Sequence, residues 1–178
     1  MTVGVTEVDV QTYIEGMKSE FPGLTVSAEK SWWLKTVMEF PGFGHLDTYT
    51  QTIGFAIYCS SRWSQFSPRK KLSTLRHERK HLEQFRKYTF FGMFFLYIFV
   101  FFPIGLAWFR AKFEREGYAE NCCSRVDYYG SDQDDKDYAW EMYKRAFLGW
   151  GYFKMWPYER QVRKWFEEDW HSAVSREV

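Results

Sequence analysis

"TLRHERKHLEQF", Thr74–Phe85, holds two of the chain's four histidines. They are His77 and His81, four apart, with Glu78 directly after the first. Residues four apart share one face of an α-helix, so both imidazoles can converge on one point. Zinc held by protein needs neutral imidazole nitrogens converging in that way. Glu78 stands beside them, where it can take a proton from a water on the metal, which is the physical content of H-E-x-x-H. Arg76, Arg79, Lys80 and Arg86 make the same segment strongly basic, so an ordinary solvated helix face competes with metal ligation. A third ligand within reach decides between the two.

Downstream, "FEREGYAEN", Phe113–Asn121, offers Glu114, Glu116 and Glu120. Glu116 and Glu120 are four apart and share a helix face, and Glu114 points elsewhere. One carboxylate of such a pair can ligate the metal. The other, one turn on, can hold a ligand histidine by its second ring nitrogen. Two histidines and one glutamate leave a fourth position open to water, the catalytic rather than the structural arrangement.

Outward from this segment, Ser67-Pro68 marks a helix start, with serine as cap and proline at the first helical position. The helix is expected to run to about Lys87. Before it, the β-branched and aromatic residues of Thr48–Cys59 predict a strand, or a hairpin turning near Gly54, in a small antiparallel sheet. Leu24–Ala28 could add a short strand. Val10, Tyr13, Ile14, Met17 and Phe21 form one helical stripe, which Pro22-Gly23 stops. Lys30–Phe40 reads as a helix ending at "PGFGH". Beyond the apolar segment, a charged helix is expected over Arg110–Val126. Ala139, Met142, Tyr143, Ala146, Phe147 and Trp150 form a further helical stripe, and a last helix faces Val162, Trp165 and Phe166 inward. The organisation is that of one α+β domain over residues 1–178, mostly helical in its C-terminal half.

The 178 residues are enough to bury a real core. Lys and Arg number 24 against 23 Asp and Glu, which gives no argument for a nucleic-acid partner. Aromatic residues make up 22% of the chain, a surplus that suits a lipid interface or a partner surface. Three cysteines, two of them adjacent, form no disulfide framework and no zinc spacing. They read as idle thiols in a reducing compartment. "MTVGVTEVDV" lacks the basic and apolar regions of a signal peptide, so the expected location is cytoplasmic, or membrane-associated on the cytoplasmic side.

Tyr88–Phe109 contains no charged residue and is long enough to cross a bilayer. One straight crossing would leave His81 and the glutamates on opposite sides of the membrane, and they could not share a zinc ion. The segment is therefore expected to fold back, with Gly92, Pro103 and Gly105 as places to bend. It would be either buried in the domain or in contact with a membrane face. The cations on both flanks, Arg86, Lys87, Arg110 and Lys112, suit an interfacial position.

The H-E-x-x-H pair followed by a helical E-x-x-x-E resembles the gluzincin metallopeptidases. More closely, "TIGFAIY", "HERKHLEQFRKYT" and "AKFEREGYAEN" are similar to a group of uncharacterised bacterial and phage metallopeptidase-like proteins. "GWGYFKMWPYERQV" resembles their C-terminal part, so the likeness spans about residues 46–165. The resemblance implies a zincin-like fold, in which a small sheet, the H-E-x-x-H helix and a second, glutamate-bearing helix enclose Zn2+. Carried over residue by residue, it implies His77, His81 and Glu116 as ligands and Glu78 as general base. Glu120 would hold a ligand histidine, at a place where gluzincins commonly have aspartate.

The activity so implied is hydrolysis of a peptide or protein substrate, whose backbone could lie along the edge of the Thr48–Cys59 strand. Tyr118 and His171, with Arg125 and Tyr128 beside them, are candidate donors to an oxyanion. The competing expectation is a non-catalytic protein of the same fold with a structural or assembly role in a membrane or larger particle such as a virion. The aromatic surplus favours that role, but nothing in it requires Glu78. A plain single-pass membrane protein with a chance motif is the third reading.

Overall fold

The computed structural model of the protein describes residues 4–27, 49–98, 108–149 and 155–176, with the backbone alone for 90, 91 and 93–98. Helix α1, Glu7–Glu20, starts at Thr6, whose hydroxyl accepts from the Asp9 N–H while the Asp9 carboxylate accepts from the Thr6 N–H at 2.7 Å. This reciprocal cap satisfies donors that a helix start leaves open. Val10, Ile14 and Met17 are buried along one face, as their spacing predicts. The chain then turns at Gly23, whose φ of 88° suits a residue without Cβ.

Three short strands follow: β1 Thr25–Ser27, β2 Gln51–Ile53 and β3 Ala56–Tyr58. β2 and β3 form the antiparallel hairpin expected at Gly54, which takes φ 61°. β1 joins β3 in parallel, Val26 opposite Ile57, and the order is β1-β3-β2. The sheet is thus mixed rather than purely antiparallel. β1 and β3 are not hairpin neighbours, so no tight turn constrains them to run in opposite directions.

Helix α2, Pro68–Ile98, begins where Ser67 accepts from the Lys70 N–H at 3.3 Å. Its regular part ends at Thr89, a β-branched residue at φ 61° and ψ 163°. The Thr89 hydroxyl accepts from the Gly92 N–H at 3.4 Å, so a new helical stretch starts there. The remaining helices are α3 Trp108–Tyr128, α4 Gln133–Leu148 and α5 Glu159–Ser175.

Apolar residues gather in two cores. One joins α1, the sheet and α2 through Val10, Phe21, Ile57, Leu72, Leu75 and Leu82. The other joins α3, α4 and α5 through large aromatic rings, among them Tyr143 stacked on Phe147 at 4.7 Å. Val162, Trp165 and Phe166 point into it, as expected, and Met142 is half-buried. Cys59, Cys122 and Cys123 are buried and form no disulfide, and burial pushes the thiols of the adjacent pair up.

Between the cores α2 and α3 lie antiparallel, with Gln84 beside Phe113 and Arg76 beside Asp127. Both ends of the apolar segment sit at one end of this helix pair, where Tyr88 meets Phe113 at 5.2 Å between ring centres. No helix among the described residues is long and apolar enough to cross a membrane. The bend expected at Pro103 and Gly105, the Lys30–Phe40 helix with its closing turn, and Trp150 all lie outside the described residues.

Candidate metal centre

His77 and His81 stand one turn apart on α2 and turn their Nε2 atoms toward each other, 3.2 Å apart. The carboxylate that meets them belongs to Glu114. Its Oε2 is 3.6 Å from His77 Nε2 and 3.8 Å from His81 Nε2. Ligands about 2.0–2.1 Å from a tetrahedral zinc ion lie roughly 3.4 Å from one another. The three separations bracket that length, so this donor set fits a metal of that size and leaves a fourth position. All three side chains are buried or nearly so, and they form a group able to hold a metal ion. The pairing of two imidazoles with one carboxylate is the chemistry such an ion requires.

Glu116, the ligand expected from the spacing of the glutamates, is not in this group. It is exposed on α3 and accepts a hydrogen bond from Gln84 Nε2 at 2.8 Å. Two residues along a helix rotate the side chain by about 200°, so Glu114 and Glu116 cannot face α2 together. Glu114, Gly117 and Asn121, spaced three and four apart, form the stripe of α3 that packs on the histidines. Glu120 lies off that stripe too. It accepts from the Arg76 guanidinium at 3.1 and 3.3 Å and has Lys80 Nζ at 3.7 Å. It therefore holds no ligand histidine.

The residues that do hold the histidines are amides. His81 Nδ1 lies 2.9 Å from Gln84 Oε1, an acceptor that keeps the proton on Nδ1 and leaves Nε2 free to ligate. Gln84 Nε2 is itself anchored on the Phe113 carbonyl at 3.1 Å. His77 Nδ1 lies 3.2 Å from the Asn121 amide, which also contacts Ser73 Oγ at 3.3 Å. With Nε2 on a metal, Nδ1 carries the proton and Asn121 presents its oxygen. An amide turned by 180° provides that oxygen in the same volume.

Gly117 completes the cradle. A Cβ built there would lie 2.6–2.8 Å from three atoms of the His77 ring. The imidazole thus rests directly on the α3 backbone, and any side chain at 117 would displace it. Glycine costs a helix interior roughly 1 kcal/mol relative to alanine. A glycine three residues after one glutamate, and four before an asparagine, was the signal in the sequence that marked Glu114.

Glu78 is buried and accepts a 2.6 Å hydrogen bond from Thr52 Oγ1 of β2. Burial pushes its carboxyl up to about 7, against the opposing pull of His81 and the Thr52 hydroxyl. Burial raises Glu114 as well, but its hydrogen bond to His77 and the charges of His81, His77 and Arg110 outweigh that and hold it at about 2. The two carboxyls are driven in opposite directions, Glu114 down by the histidines and Glu78 up by burial beside them.

Of the candidate oxyanion donors, Tyr118 touches the site, with its ring edge-on to His77 at 5.0 Å. Arg125 pairs with Asp135 and lies between the Tyr129 and Tyr138 rings. Tyr128 packs against the α1 and sheet core. His171 is exposed on α5 and has no hydrogen bond or ion pair with the group. The chain matches no family model, no curated protein and no solved structure.

Proposed function

We propose that this protein is a zinc-dependent metallopeptidase of zincin-like architecture, with His77, His81 and Glu114 as ligands and Glu78 as general base. The observation that carries the reading is the mutual spacing of Nε2, Nε2 and Oε2 at 3.2–3.8 Å, directly beside a buried carboxyl held near neutrality. The short sheet followed by the H-E-x-x-H helix and an antiparallel glutamate helix supports the zincin-like comparison. Zinc bound there would polarise a substrate carbonyl and make a nearby water more acidic.

Glu78 then takes a proton from the attacking water and delivers it to the departing amine, so the carboxylate is regenerated in each turnover. Thr52 Oγ1 donates to Glu78 Oε2 and fixes the carboxyl beside the histidines. Because Thr52 lies on β2, at the edge of the sheet as described, the base is tied to the strand along which an extended peptide would align. Gln84, Asn121 and Gly117 fix the ring planes and leave the histidines one useful arrangement.

Glu78→Gln tests the assignment. The amide keeps the shape and the Thr52 hydrogen bond but cannot accept the proton. Metal content should match wild type, and cleavage of unfolded and short peptides should fall by at least about a hundredfold. Equal cleavage by both proteins would defeat the role of Glu78. Full metal content with no cleavage by either would favour the non-catalytic assembly reading.

A further inference from the structure

Residues 84–113 carry four cations, Arg86, Lys87, Arg110 and Lys112, and no acid, in a chain whose charges otherwise nearly balance. The 22 residues from Tyr88 to Phe109 carry no charge. The structure brings the two flanks of that run to one end of the α2–α3 pair. There Tyr88, Trp108 and Phe109 are 36%, 41% and 48% exposed, large aromatic surface left in the open. Lys87 lies over the Tyr88 ring at 5.2 Å, and Trp108 is seated against Trp156 at 5.2 Å. The aromatic groups are therefore fixed in place on the helix ends.

We infer that this end of the molecule docks on an anionic lipid surface, and that the metal site acts on polypeptide lying close to that surface. Amphipathic rings flanked by cations, with only uncharged chain between them, match the headgroup region of a bilayer. A second copy of the chain fits poorly, because a two-fold contact through this end would set the same cations against each other. Glu114 lies five residues from Phe109 on α3, and His81 seven from Tyr88 on α2. At about 1.5 Å per residue, the site stands roughly 8–10 Å from the aromatic belt. A membrane-proximal segment of a protein is then the substrate within reach. The substrate half of the inference rests on the peptidase reading; the docking half does not.

The full chain is mixed with vesicles of phosphatidylcholine alone, or with phosphatidylglycerol added, and sedimented. Binding should be at least tenfold stronger to the anionic vesicles and should weaken as salt rises. Lys87→Glu with Lys112→Glu, both exposed, should cut binding at least tenfold while circular dichroism stays unchanged. Phe109→Ser gives a second variant that leaves charge untouched. Equal binding to neutral vesicles, indifference to salt, or self-association in place of lipid binding would overturn the docking surface. Glu78→Gln should bind vesicles as wild type does. A peptide tethered to anionic vesicles should be cleaved at least tenfold faster than the same peptide free. No cleavage with docking intact overturns the peptidase reading alone, and equal cleavage of both peptides overturns the membrane-proximal substrate.

Discussion

Helices α2 and α3 meet along two neighbouring stripes made from similar residues with opposite fates. The inner stripe sets His77 and His81 against Glu114, Gly117 and Asn121. The outer stripe sets Arg76, Lys80 and Gln84 against Glu116, Glu120 and Asp127. The Glu114 side chain is 10% exposed, and the Glu120 side chain is 16% exposed with three cations within reach, Arg76, Lys80 and Arg176. Carboxylates six residues apart on one helix thus do different things. The inner one faces the histidines that would share a metal with it, and the outer one is paired with permanent cations. Helical phase, not residue type, separates a candidate ligand from an ion pair.

The sharpest way to break this comparison is to exchange the fates of the glutamates. Glu114→Gln should lower zinc affinity by at least about a thousandfold, well beyond the 10–100-fold typical of residues that only support ligands. Glu116→Gln should change it by less than about threefold, since Glu116 meets the Gln84 amide and, among the described residues, neither histidine. Competition with a chromophoric chelator measures both. A large loss for Glu116→Gln and none for Glu114→Gln would restore the assignment made from glutamate spacing.

Much of the site was legible before the structure. The i, i+4 histidines, the adjacent glutamate and the Ser67-Pro68 cap depend only on local periodicity, which a sequence displays directly. The bend expected within the apolar run lies outside the described residues; what the structure gives is its two flanks side by side, with Tyr88 against Phe113. Which face of α3 turns toward α2 is a tertiary fact. Two four-apart carboxylates advertise a face, and the rule that they share it held: Glu116 and Glu120 do lie together, on the wrong stripe. The better guide was Gly117, since a helix tolerates the cost of glycine where another group needs the space. The parallel pairing of β1 was hidden for a related reason, because register between strands distant in sequence is set by packing rather than by a turn.

Gly117→Ala sharpens the comparison from the other side, by adding one methyl group to the inner stripe. Alanine raises helix propensity by roughly 1 kcal/mol, which the overpacking of about 1–3 kcal/mol at this buried site offsets or exceeds, so the metal-free protein should unfold at an equal or slightly lower temperature. The same methyl overlaps the His77 ring at 2.6 Å and forces it off the α3 backbone. Zinc affinity should fall about 10–100-fold, the range for lost ligand orientation. A variant that is both more stable and binds zinc normally would mean that the ring does not need this cradle.

The smallest expected effect belongs to the outer stripe. Glu120→Gln removes one carboxylate from a network in which Arg76 still has Asp127 and Lys80 still has Glu83. The Arg76 and Glu120 side chains are 20% and 16% exposed, so solvent screens the pair only in part. The two-nitrogen contact on one oxygen places it near the upper end of the range for such pairs, about 1 kcal/mol. Urea unfolding should show that loss at low ionic strength and less of it in 1 M salt, where charges are screened over about 3 Å. Zinc affinity should stay within about threefold of wild type, because neither ring nitrogen of His77 or His81 bonds Glu120. A tenfold or greater loss of zinc would show that Glu120 supports a histidine after all, and would join the two stripes into one site.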